Sequence, residues 1–223
     1  MTINKRLVAL GFSFLPLIFV LVMFPSIPEI IPAHFRLGGV TRYGSRIEIF
    51  ITPAATIVFQ LLWVAIEKIV VHQKESGTQN AKMLFVCNLI TTLIFAVVTV
   101  WHVFAAIDGA TTTTEARFDL LRMLAVMFNV MYIAIGNFLP KCKQNWLVGI
   151  RIFWTLKSEH NWFKTHRFGG KAFIIFGIAA MPICLFALNG SMGMLFMGAG
   201  TLALLVIICC YSYRIHKLEN ANK

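Results

Sequence analysis

The sequence predicts an all-α integral membrane protein, a six-transmembrane-helix bundle with a short amphipathic interfacial helix in its cytoplasmic fourth loop. Three observations carry this expectation. Only 13% of the residues are charged, against 58% hydrophobic, and the mean hydropathy is +0.77. A soluble domain keeps about a quarter of its residues charged. The apolar residues are gathered into six long runs, and the basic residues fall in the connections between them.

A helix rises about 1.5 Å per residue, so about 20 apolar residues cross a bilayer core. The runs Leu7–Phe24, Ile47–Val71, Met83–Ile107, Leu120–Leu139, Ala172–Leu188 and Met192–Tyr213 meet or approach that length. In lipid the backbone must satisfy its own hydrogen bonds, so each run reads as a helix. The first follows Lys5 and Arg6 in the manner of an export signal. Its length, and Pro25-Ser26-Ile27-Pro28 in place of a small-residue cleavage site, predict a retained helix. The fifth and sixth runs are joined by Asn189-Gly190-Ser191, a tight turn that makes them an antiparallel pair.

The formal charge of +11 would suggest nucleic acid in a soluble protein. Here it sets orientation. Lys5, Arg6, Lys68, Lys74, Lys82, the seven cations from Lys141 to Lys171, Arg214, Lys217 and Lys223 fall on one side. Arg36, Arg42, Arg46, Arg117 and Arg122 fall on the other. The positive-inside rule then places both termini and the fourth loop in the cytoplasm of a bacterial plasma membrane, and the first loop outside. No direct nucleic-acid contact is expected. Residues 1–82 read as a helix pair with an extracytoplasmic Pro/Gly loop at 25–46, and 83–223 as a four-helix membrane region with a distinctive loop at 136–171. The cysteines Cys87, Cys142, Cys184, Cys209 and Cys210 show no metal-ligand spacing. No cofactor or metal is expected, and the oligomeric state is left open.

Two loops carry information. The fourth runs from Pro140 to Lys171. Pro140 ends the preceding helix. Ser158 is suited to an N-cap, Glu159 to the first turn, and Gly169-Gly170 to a stop. Between them Trp162, Thr165, His166 and Gly169 share one helical face. Trp146, Trp154 and Trp162, interleaved with Lys and Arg, suit the headgroup region of a membrane. Lipid binding alone has no use for Asn137, Asn145, Thr155, Thr165 or His166. The first loop holds Pro25, Pro28 and Pro32, which favour extended chain, and then Gly38-Gly39, which supply a turn before the second helix.

The stretch Gly136-Asn137-x-x-Pro140-Lys141, Asn145-Trp146-x-x-Gly149-Ile150-Arg151-x-x-Trp154-Thr155-Leu156, Ser158-Glu159-x-x-Trp162-x-x-Thr165-His166-Arg167-Phe168-Gly169-Gly170 resembles the hallmark of the SdpI family. The first loop, with Ile31-Pro32-x-His34-Phe35-x-x-x-Gly39, resembles the domain of unknown function that often accompanies it. Arg42 stands near a position where that pattern leads one to expect an acidic residue. With the six-helix frame, the resemblance covers nearly the whole chain. It implies a polytopic protein giving immunity to a secreted, membrane-active peptide toxin, and signalling by holding a small repressor protein at the membrane.

On that basis Pro28, Pro32, His34, Phe35, Arg36 and Gly38 are candidate contacts for a peptide outside. Asn137, Pro140, Lys141, Asn145, Gly149, Arg151, Trp154, Thr155, Trp162, Thr165, His166 and Gly169 are candidates for a partner inside. Two other classes stay open. A small-solute or ion transporter would use deep polar groups, here Gln60, Asn88 and Asn129. An interfacial enzyme would use His34, His160 or His166. No nucleophile elbow, H-E-x-x-H or paired carboxylates accompany these histidines, so the chain reads as non-enzymatic.

Overall fold

The computed structural model describes residues 3–36, 39–71, 77–115, 118–145 and 148–221. The helices are α1 (Ile3–Met23), α2 (Ile51–Val71), α3 (Gly77–Asp108), α4 (Leu120–Phe138), α5 (Phe153–Lys157), α6 (Glu159–Pro182) and α7 (Gly190–Ala221). Among the described residues six helices, all but α5, are long and apolar enough to cross a membrane. The six-span fold expected from the sequence is therefore the fold observed. α1, α2 and α3 pack on one another, α4 packs on α6 and α7, and α3 touches α4. Large apolar side chains such as Phe186 (86% exposed) and Leu195 (72%) face outward, as lipid requires.

The first loop is more structured than its prolines suggest. Strands β1 (Ile30–Arg36) and β2 (Gly39–Ser45) form an antiparallel hairpin. Pro32 cannot donate to the ladder, and the register shifts between Pro32 and His34 and again between His34 and Phe35. Ile31 and Ile49 are fully buried and pack with Val20, Ile27, Val103 and Ala106. The hairpin is thus clamped to the ends of α1 and α3. It is also bonded to the third loop, where the Val40 amide donates to the Thr111 carbonyl at 2.7 Å.

The amphipathic segment of the fourth loop is not a separate helix. Residues 159–182 form one continuous helix, and Gly169-Gly170 do not stop it. Their role is close packing. A Cβ at Gly170 would lie 2.7 Å from the Gly136 carbonyl oxygen, and one at Gly136 would lie 2.6 Å from the Gly170 carbonyl oxygen. The backbones of α4 and α6 cross at this pair. Two interior glycines each cost a helix about 1 kcal/mol. The crossing and the following apolar stretch override that cost, since a break near the bilayer would leave backbone groups unsatisfied. Ser158 does cap α6, accepting from the Asn161 amide at 3.1 Å, and Pro140 does end α4 in a short turn over Leu139–Lys141.

Candidate functional site

The signature loop closes on itself around Trp162 and His166, both fully buried. The His166 ring is held at both nitrogens. Its Nε2 accepts from the Ile150 amide at 3.0 Å, so Nδ1 carries the proton and donates to the Trp162 carbonyl at 2.8 Å. The ring is neutral in this arrangement. The two rings stack with centroids 4.0 Å apart, and Trp162 Nε1 donates to the Cys142 carbonyl at 2.9 Å. Gly149 lies directly over them with φ of +122°. A Cβ there would sit 2.5 Å from His166 Nε2 and 2.9 Å from the indole of Trp162. Both its backbone conformation and its surroundings demand glycine.

The remaining polar residues brace the same loop. Asn145 accepts from the Val148 amide at 2.7 Å and donates to the Lys143 and Val148 carbonyls. The Thr155 hydroxyl accepts from the Ile152 amide and donates toward the Ile150 and Ile152 carbonyls. Gln144 donates to the carbonyls of Thr155 and Leu156. Below them, Asn161 accepts from Thr165 and from Ser212 of α7, and donates to the Ser212 carbonyl. Ser158 donates to Glu219 at 2.7 Å, tying the start of α6 to the end of α7. Cys142 is 1% exposed beside Met83, and burial pushes its thiol up to about 11.

Most of the expected cytoplasmic site residues are therefore brought together, but as the interior of a knot. Thr155, Trp162, Thr165, His166 and Gly169 are buried. Gly169 is enclosed by Ile150, Leu139 and Ile208. The Trp162 ring is enclosed by the protein and is not exposed to lipid. Trp154 is half-buried, with its ring 5.1 Å from Tyr213. Asn137 accepts from Lys141 at 3.5 Å on the outer surface. Arg151 is exposed on the rim with no ion pair among the described residues. Trp146 lies outside the described residues. Gln144, Asn161, Ser212 and Glu219 were missed by sequence reasoning. Only the last two lie far along the chain, but none of the four shows its partner in the sequence.

At the other end of the bundle the hairpin leaves an open cavity of about 230 Å³ against α2 and α3. It is lined by His34, Phe35, Glu48, Thr52, Trp101 and His102, among others. Phe35 meets Trp101 edge-on at 4.8 Å, and His102 Nε2 donates to the Pro32 carbonyl at 2.9 Å. Arg42 pairs with Glu48, which holds its guanidinium above the usual range. The acidic partner of this basic position thus comes from the short turn at Arg46–Phe50 that leads into α2. His34, Arg36 and Pro28 are exposed, Pro32 is buried, and Gly38 lies outside the described residues. Glu115 accepts from the hydroxyl and amide of Thr111, which hold its carboxyl below the usual range.

Residues 141–212 match the model of the SdpI/YfhL protein family, and residues 11–57 match a domain of unknown function, DUF1648. The similarity to the SdpI/YfhL family therefore lies in the C-terminal half of the chain, over residues 141–212. The SdpI-family match begins within the turn after α4 and covers most of the knot, from Cys142 to Ser212. The chain is similar to Immunity protein SdpI of Bacillus subtilis (strain 168), with 23% identity over 221 residues, 99% of this chain and 100% of that protein. No solved structure matches the chain.

Proposed function

We propose that this chain is an immunity protein of a bacterial plasma membrane, with both termini in the cytoplasm, that protects against a secreted membrane-active peptide. The single observation that carries this reading is the pairing of two unlike ordered loops at opposite ends of one bundle. The outer one offers an apolar cavity with a polar rim, suited to a side chain of an apolar peptide. The inner one offers a rigid rim from which Arg151, Lys157 and His160 project. Similarity to an immunity protein over nearly the full length supports it. The hairpin meets the peptide, and a small repressor protein docks on the inner rim. Because the knot's centre is closed, a partner reads Arg151 and its exposed neighbours, while Trp162 and His166 hold them in place. In this reading residues 1–82 supply the sensor and 83–223 the response.

Transport finds less support in the shape. The cavity beside Trp63, Glu67 and Asn88 holds about 10 Å³, room for at most one water. Survival tests the proposal. Wild-type protein is expected to protect a sensitive bacterium from a secreted membrane-active peptide. Phe35→Ala, which opens the outer cavity, is expected to lose protection at unchanged membrane level. Arg151→Ala is expected to keep peptide binding and lose repressor recruitment. Absence of protection by well-expressed wild type overturns the immunity reading.

A further inference from the structure

Over its first three turns α6 has two opposed faces. One is the buried face of Trp162, Thr165, His166 and Gly169. The other carries Lys164, Arg167 and Lys171, all exposed. At 100° per residue these three cations fall within about 60° of one another. Phe168, on the same side, stacks on Tyr211 of α7 with ring centroids 4.1 Å apart and planes 16° apart. These five residues line a cavity of about 290 Å³ between α6 and α7.

No acidic side chain lines this cavity. None of the three cations has an ion pair among the described residues, so like charges face one another without compensation. Their depth is informative. Lys171 immediately precedes the apolar stretch that begins at Ala172. From Lys164 to Lys171 the helix rises roughly 10 Å, comparable with the headgroup layer on one side of a bilayer.

We propose that this cavity is a binding site for the phosphate of an anionic phospholipid headgroup. Arg167 supplies a forked donor, and Lys164 and Lys171 supply flanking point charges. The Phe168–Tyr211 stack gives the glycerol and upper acyl chain an apolar wall. A free phosphate shares the chemistry. The cavity's level, at the margin of the apolar span, favours the lipid. The proposal rests on the membrane fold and is independent of immunity.

The test is native mass spectrometry of the full chain in detergent, titrated with phosphatidylglycerol or phosphatidylcholine. Two double variants are compared, R167Q/K171Q in the cavity and K143Q/K217Q on exposed positions elsewhere. Wild type is expected to retain phosphatidylglycerol at least tenfold better than phosphatidylcholine. R167Q/K171Q is expected to lose about tenfold in that retention, and K143Q/K217Q to keep it. R167K, which keeps the charge without the fork, is expected to fall between, and serves if the double variant is poorly folded. Equal loss in both double variants means diffuse attraction and overturns the site. Displacement of the lipid by millimolar inorganic phosphate overturns the lipid as its source. No preference in wild type overturns both.

Discussion

The knot of the fourth loop and the hairpin of the first are both short loops rich in glycine, aromatics and polar side chains, yet they are built in opposite ways. In the knot the distinctive side chains point inward and spend their hydrogen bonds on backbone. In the hairpin His34 and Arg36 are exposed, and the cavity that His34 helps to line stays open. A distinctive residue in the knot therefore fixes shape, while one in the hairpin is free to touch a ligand. The same residue types carry different information according to where their polar atoms find partners.

The glycines give the strongest way to break this contrast. Gly149 and Gly39 have nearly the same φ, +122° and +123°. At Gly149 a methyl group meets two fully buried rings. Gly149→Ala is expected to cost about 4 kcal/mol, combining strain and overpacking, read as a loss of thermal stability in detergent. His166→Ala comes next. It strands the Ile150 amide and leaves a hole beside Trp162, for about 3 kcal/mol by the same measurement. Asn at this position is not expected to restore both bonds. At Gly39 a methyl group meets one carbonyl oxygen, that of Thr111, at 2.9 Å. Gly39→Ala is expected to cost about 2 kcal/mol, and to weaken peptide protection more than it weakens the bundle. If Gly39→Ala proves as destructive as Gly149→Ala, the contrast between the two loops fails.

The smallest effect is a pH dependence at the hairpin end of the bundle. Glu115 has a lowered pKa in the folded chain, so its contribution is present above the ordinary carboxylate range and lost as pH falls through the lowered value. Thr111, which it holds, also anchors Val40 of the hairpin. Acidification is expected to loosen the hairpin, read by fluorescence of Trp101 beside Phe35. Glu115→Gln is expected to flatten that pH response. A response of equal size in the variant would place its origin elsewhere.

The six spans were legible because lipid imposes one rule on every backbone group, and long apolar runs answer it. The caps were legible too, since Ser158 and Pro140 act on neighbours a few residues away. The hairpin was half legible. Its extended residues follow from the prolines, but its seat on the bundle involves Ile31 packing with Val103 and Ala106, far off in the chain. The fate of Gly169-Gly170 was hidden for a similar reason. A Gly-Gly pair reads locally as a stop, and only the facing Gly136 shows it to be a crossing. The face of Trp162, Thr165 and His166 was readable from spacing, but spacing does not say whether a face meets lipid, a partner or the protein's own loop.

The tie between α6 and α7 has a consequence for how the chain is made. Ser158 waits for Glu219, 61 residues later, and Asn161 waits for Ser212, 51 residues later. A ribosome adding roughly 5–20 residues per second leaves those partners missing for several seconds. During that interval the start of α6 has its glycines and its aromatic latch but not its final brace. The knot is thus completed only after the last helix has been made, and its closure reports that α6 and α7 have met.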